Sequence, residues 1–334
     1  KKLDRLDLKN EEQVYVILKD LEEATYQVKD LTKKEARRSA PPPYTTSTLQ
    51  QAANQKLGYS SQQTMRLAQQ LYEGVALGAE GSVGLITYMR TDSVNLSEKF
   101  ITEAANFVRS TFGQQYALAK ARVYKTKAKG AQEAHEAIRP TDPTRTPDAV
   151  KAYLSPQLHK LYTLIWKRAV GTQMADARLN RATLDIEGKQ YIFRATGQTM
   201  IFPGWLALYP DAIKEEMLPE LAQGTLLDCE QIKPEQHFTE PPARYSDATL
   251  VKALEQYGIG RPSTYAPTIA TIEDRNYVDR DEQKRLKPTD IAFMVNDLLG
   301  EHFSNIVDYQ FTALMEQNLD EIAAGGKDWQ PIIA

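Results

Sequence analysis

The chain has 334 residues, with 41 Lys and Arg against 44 Asp and Glu and a formal charge of −3. At ~150 residues per domain it should form about two to four domains, and this charge excludes both a uniformly basic coat for a polyanion and an acidic disordered tail. Any polyanionic partner must therefore find a local patch. The single cysteine, Cys229, can form neither an internal disulfide nor a thiolate-rich zinc site, which fits a reducing cytoplasm. No apolar run approaches the about 18 to 20 residues that span a bilayer, so no membrane partner is expected. The start at Lys1 without an initiator Met, and an end at Ile333-Ala334 that closes nothing, lead us to expect a piece of a longer polypeptide.

In chain order, alternation of apolar and polar residues predicts strands at Val14–Leu18 and Ala24–Val28. The charged stretch Lys33 to Arg38 then runs into Pro41-Pro42-Pro43, an extended spacer, and a boundary near residue 47. Thr48 is expected to cap a helix ending at Gly58, and Ser60 or Ser61 a second helix with Met65, Ala68, Leu71 and Tyr72 on one face. Gly74, Gly78, Gly81 and Gly84 interrupt that pattern before a short strand at Leu85–Met89. Ser97 caps a helix ended by Gly113, and Ser155-Pro156 opens another that carries Leu161, Tyr162, Ile165 and Ala169 inward. Strand patterns return at Ala182–Ile186, Tyr191–Ala195 and near Thr225 to Ile232. After Pro241-Pro242 come helices from Ser246 to Tyr257 and from Ser263 to about Arg275. The fold class is thus mixed α and β, and multidomain. A β-rich domain in two segments (1–47 and 171–240) is interrupted by a helical insert (48–170) and followed by a mainly helical region (241–334).

Three constellations carry chemistry. If residues 86–93 are extended, Tyr88, Arg90 and Asp92 project to one face and set a phenol, a guanidinium and a carboxylate in a row. A guanidinium favours the phenolate and holds a phosphate in its planar fork, and Asp92 can orient it. The plainer reading is a half-buried tyrosine beside a surface ion pair. On a helical turn His135 and Arg139 would face one way, a proton carrier beside a permanent cation. Upstream, Lys120, Arg122, Lys125, Lys127 and Lys129 make a basic stretch without acids, suited to neutralising phosphates or simply to solvation. Third, Tyr257-Gly258-Ile259-Gly260-Arg261-Pro262-Ser263-Thr264 joins two helices and presents Arg261, Ser263 and Thr264 at the second N-terminus, with Arg275 at its far end. No G-x-x-x-x-G-K-[ST] loop is present, so no nucleotide-powered step is indicated.

In their order and separation, the stretches Gly84–Ser93, Ala134–Thr141 and Arg244–Val278 resemble the type IA DNA topoisomerases, within them the bacterial topoisomerase I group. The resemblance implies a toroidal arch, with residues 1–47 and 171–240 as the β-rich hinge, 48–170 as the tyrosine-bearing gate and 241–334 as part of a single-strand DNA-binding domain. It makes Tyr88 the nucleophile that becomes linked to a 5′ phosphate, relaxing negative supercoils without ATP. Arg90 would stabilise the phosphate charge, Asp92 the local network, and His135 and Arg139 would support the site. Arg261, Ser263, Thr264 and Arg275 would contact single-stranded DNA. The family's Mg²⁺ ligands lie in an N-terminal Toprim domain that nothing here matches, so no metal is expected on this chain, and weak DNA binding without efficient cleavage is expected of it alone. A monomer acting on single-stranded or negatively supercoiled DNA, in a bacterial cytoplasm at the nucleoid, completes that picture. The alternatives are a tyrosine-nucleophile enzyme of another class, such as a tyrosine recombinase or type IB topoisomerase, and a noncatalytic single-strand-binding module.

Overall fold

The structure, a computed structural model, describes residues 7–124 and 135–333. Its elements in chain order are α1 (Glu11–Leu21), β1 (Tyr26–Arg38), α2 (Thr46–Leu57), α3 (Ser61–Glu73), β2 (Val75–Ala76), β3 (Ser82–Val83), α4 (Glu98–Phe112), α5 (Pro147–Val150) and α6 (Pro156–Gly171). They continue with β4 (Ala177–Gly188), β5 (Tyr191–Phe202), β6 (Leu226–Leu227), α7 (Asp247–Tyr257), α8 (Tyr265–Asp274), β7 (Val278–Arg280), β8 (Leu286–Pro288), α9 (Asp290–His302), α10 (Ser304–Val307), α11 (Tyr309–Ala323) and α12 (Gln330–Ile333). Among the described residues no helix is long and apolar enough to cross a membrane.

The chain divides into two compact units, Lys1–Ser39 with Asp176–Pro241, and Ala40–Ala175 with Pro242–Ala334. The first holds an antiparallel sheet in the order β5-β4-β1-β6. β1 pairs with β4 from Tyr26↔Gly188 to Arg38↔Ala177, so the charged stretch Lys33–Arg38 is strand, not the lead-in to the spacer. Its lysines and arginines are exposed on both faces of the strand, where charges cost little. Gly188 allows the Tyr26 ring to lie against its Cα: an added Cβ would come within 2.6 Å of that ring. The strand expected at Val14–Leu18 is instead part of α1. Asn10 caps it by accepting from Gln13 N–H, Glu11 and Glu12 stand in its first turn and Lys19 in its last, and these end signals outweigh a brief alternation. Asp185 and Arg194 face each other across β4 and β5 in a two-pronged ion pair at 2.7 Å. That hydrogen-bonded guanidinium holds the Asp185 carboxyl below the usual range, against a smaller opposing effect of burial.

In the second unit the helices of residues 48–170 and those of 241–334, read separately above, pack together, with α2 lying along α7. Thr45, not Thr48, caps α2: Thr48 N–H donates to Thr45 Oγ1 and the Thr48 hydroxyl accepts from Thr45 N–H, a reciprocal box. Ser246 and Thr249 form the same box on α7, and Gly258 closes that helix in the left-handed region at φ 71°. Helix α8 begins at Tyr265 and not at Ser263, because Pro262 to Thr264 form a turn in which Thr264 N–H donates to Arg261 O. After α8 the chain makes the β7–β8 hairpin, an element the pattern of apolar residues did not disclose.

Asp247, 1 % exposed, ties these helices together. One carboxylate oxygen accepts from Ser61 N–H at the start of α3 (2.7 Å), and the other accepts from Arg280 (2.6 Å), which also grips Glu273. Burial alone would lower the Arg280 pKa, yet the bonds to Glu273 and Asp247 raise it above the ordinary arginine value. Without the Asp247 carboxylate, Ser61 N–H loses its acceptor and Arg280 falls back on Glu273. Asp247→Ala is expected to cost about 2 kcal/mol, read as a lower urea midpoint at unchanged slope.

Candidate active site

The segment from Gly84 to Ser93 belongs to no sheet and bends at Thr87 and Met89, where extended chain was expected. Only Ile86 makes a bridge, to Pro140, and the ladder goes no further because Leu85 N–H donates to Leu71 O and Arg139 N–H to the Thr87 hydroxyl, so the expected strand at Leu85–Met89 remains a single bridge. The backbone is satisfied piecemeal. Leu85 N–H donates to Leu71 O, Thr87 N–H to Arg139 O, and Thr141 N–H to Leu85 O. The Thr87 hydroxyl accepts from Arg139 N–H at 3.0 Å and donates to Ala137 O at 2.7 Å. Further on, Met89, Thr91 and Ser93 are buried while Tyr88 and Arg90 are exposed and Asp92 half-buried, so the expected alternation is realised. Gly84 makes the close approach possible, since a Cβ there would stand 2.7 Å from the Tyr72 carbonyl oxygen.

Tyr88, Arg90, Thr91, Asp92, His135, Pro262 and Ser263 line one open cleft of about 320 Å³. Three separate stretches of sequence therefore meet there. The Tyr88 ring is 43 % exposed and leans edge-on against Tyr72, with centroids 5.3 Å apart. A phenol in this setting is reachable by a ligand and held by a neighbouring ring. Asp92 lies within electrostatic reach of Tyr265, the first residue of α8.

The remaining expected residues do not line the cleft. Residues 135–140 are not helical, because a residue before proline is driven from the α region and Arg139 precedes Pro140. Arg139 is turned away. Its guanidinium donates to Glu136, to Ser97 Oγ at 3.2 Å and to Pro140 O at 3.0 Å, and stacks over the fully buried Phe100 with 4.9 Å to the ring centroid. It fastens the His135 strand of chain to the start of α4. Arg261 is likewise engaged, donating to Asp320 at 2.6 Å and to Gly260 O at 2.8 Å, with Glu316 at 3.5 Å. Thr264 Oγ1 accepts from Arg261 N–H and sits in the turn. Arg275 is exposed at the far end of α8. Of the basic stretch, Arg122 donates to the carbonyls of Thr172 and Met174, whereas Lys125, Lys127 and Lys129 lie outside the described residues, as do Gln132 to Ala134. Sequence reasoning missed Thr46, Thr87 and Tyr72, since their roles depend on contacts no local pattern records.

Asp92 is the one carboxylate in the cleft, flanked by cationic Arg90, and among the described residues no group of three or more His, Cys, Asp or Glu could hold a metal. This donor set does not make the oxygen cage that Mg²⁺ needs.

A mixed α and β chain with a cleft-lining tyrosine, arginine, aspartate and histidine has counterparts among known proteins. The sequence profile of the DNA topoisomerase family matches residues 1–334. DNA topoisomerase 1 of Xylella fastidiosa (strain 9a5c) is 50 % identical over 316 residues, covering 92 % of this chain and 39 % of that protein. DNA topoisomerase 1 of Campylobacter jejuni is 44 % identical over 329 residues, 98 % of this chain and 47 % of that protein. The structure of full-length topoisomerase I from Thermotoga maritima matches with a TM-score of 0.85 at 34 % identity, covering 99 % of this chain and 54 % of that one. The chain belongs to the DNA topoisomerase family, in its type IA branch. It spans less than half the length of these curated relatives.

Burial first, then the Glu255 carboxylate, push the Tyr265 phenol up to about 12, opposed by Arg261 and helped by Asp92 and Glu316. The folded chain therefore holds this proton harder than the unfolded one, whose phenol has a pKa near 10.0. Stability from Tyr265 is intact below pH 10 and is lost as pH rises toward 12. Tyr265→Phe should flatten that alkaline limb of a stability-against-pH curve.

Proposed function

We propose that this chain is the tyrosine-bearing part of a topoisomerase that cuts and reseals one DNA strand through Tyr88. The observation that carries the reading is the convergence of Tyr88, Arg90, Asp92, His135 and Ser263 on one open cleft. The Tyr88 oxygen attacks a backbone phosphorus, a P–O bond to the tyrosine forms, and the bond from phosphorus to the 3′ oxygen breaks. The phenol gives up its proton and the departing 3′ oxygen takes one up, and His135 is the proton carrier in the cleft. Arg90 offsets the charge that builds on the phosphate oxygens, and Asp92 orients the local network. The phosphodiester energy is conserved in the phosphotyrosine, so attack by the 3′ hydroxyl restores the strand without ATP. Mg²⁺ supplies further charge neutralisation in the complete enzyme, from carboxylates of the Toprim domain and not from residues described in this chain.

In this reading residues 1–47 and 171–240 form the hinge of a toroidal arch, 48–170 the gate and 241–334 part of the single-strand-binding surface. The partner is single-stranded or negatively supercoiled DNA, the protein acts as a monomer, and its place is the bacterial cytoplasm at the nucleoid. Arg139 and Arg261 serve as positioning residues, the first for the His135 segment and the second for the Gly258–Ser263 turn, because their guanidinium groups already have carboxylate partners. Ser263, Thr264 and Arg275 remain the contacts to the strand.

The decisive experiment mixes the chain with single-stranded DNA labelled at its 3′ end, Mg²⁺ and a separately made Toprim domain, then denatures it. The label should travel with protein and map to Tyr88, and Tyr88→Phe should abolish the adduct. An adduct on any other residue, or none, would falsify the assignment. Salt dependence divides the cations: Arg275→Ala should lower the slope of log affinity against log salt by about 1, as for one lost phosphate contact. Arg261→Ala should leave that slope unchanged while lowering the melting temperature; a shallower slope would make Arg261 a phosphate ligand after all.

A further inference from the structure

We infer that Thr46, outside the cleft, is a positioning residue for the strand-cleaving reaction, because it substitutes for the neighbouring strand that the Tyr88 segment lacks. This role rests on the function proposed for Tyr88. Thr46 is the first residue of α2 and is fully buried. Its hydroxyl donates to Met89 O at 2.7 Å, lies 3.0 Å from Thr91 O, and accepts from Thr91 N–H at 2.8 Å. Its own N–H donates to Thr91 O at 2.8 Å. One residue thus engages the backbone on both sides of Arg90.

The physical need is plain. Met89 and Thr91 are 1 % and 4 % exposed, so their backbone polar groups are withdrawn from water, and no ladder reaches them. Buried chain outside any helix or sheet must find partners for each N–H and C=O or leave the conformation. The conformation is what aims the side chains: with Met89 and Ser93 buried and Thr91 buried at the cleft wall, Tyr88, Arg90 and Asp92 face the cleft. A reacting group displaced by about 1 Å can lose roughly a hundredfold in rate, so a bond that fixes register here acts on chemistry more than on DNA binding. The hydroxyl, and not merely the volume of residue 46, is the operative feature, since only it offers a donor and an acceptor together.

Thr46→Val keeps the shape and removes the hydroxyl, and Thr46→Ser keeps the hydroxyl. In a full-length enzyme carrying this sequence, with a 3′-labelled single-stranded oligonucleotide and Mg²⁺, Thr46→Val should slow adduct formation roughly 10- to 100-fold. Affinity for the same oligonucleotide should hold, and Thr46→Ser should recover the rate. Equal losses of affinity and rate, a wild-type rate in the valine variant, or no recovery with serine would each overturn the role. A second readout needs no catalysis: amide exchange at Thr91 should accelerate in Thr46→Val and not in Thr46→Ser, and unchanged exchange in the valine variant would refute the staple itself. If the unsubstituted enzyme forms no adduct at Tyr88, the function falls and this role with it, while the exchange result still reports separately on the hydrogen bonds.

Discussion

Everything at the cleft depends on how residues 84–93, an irregular stretch that bends at Thr87 and Met89, are held in place without a sheet. Elsewhere in the chain β1 runs its whole length beside β4, and that ladder sets its register. At the cleft the same office is divided among Leu71, Thr46, Thr87 and the 137–141 stretch, each satisfying one or two groups. Such an arrangement leaves the outward edge of the segment open, with alternate side chains facing solvent and ligand.

Much of this was legible beforehand, and the limits follow from what sequence records. Alternation through Tyr88, Arg90 and Asp92 is written locally in the sequence, and the buried Met89 and Thr91 between them realise it even though the chain bends at Met89. Caps such as Ser60, Ser97, Ser155 and Ser246 act within four residues and were readable for the same reason. The directions of Arg139 and Arg261 were not. Arg261 finds Asp320 far along the sequence on α11, and Arg139, although Glu136 is only three residues away, is turned by Ser97 and Phe100 at the start of α4. In α1 a short alternation competed with end signals of a helix, and the capping and charge pattern prevailed.

The two arginines also change how positive charge near the cleft is to be weighed. A guanidinium already bonded to two carboxylates contributes little net field, so counting Arg261 with the phosphate ligands would overstate the local potential. Asp247 makes the complementary point, since a fully buried carboxylate is tolerable where Arg280 stays beside it and Ser61 offers an N–H. These pairs shape the walls of the site and leave Arg90 as the cation that lines it.

The pairing of Arg38 with Ala177 has a topological corollary. The polypeptide departs from the first unit just after Arg38 and comes back to it just before Ala177, two residues that stand about 5 Å apart as partners on one rung. A tight turn would bridge the same gap. The sheet is therefore indifferent to how long the excursion is, and lengthening or shortening the helices within it leaves the closure entropy of β1 on β4 almost untouched.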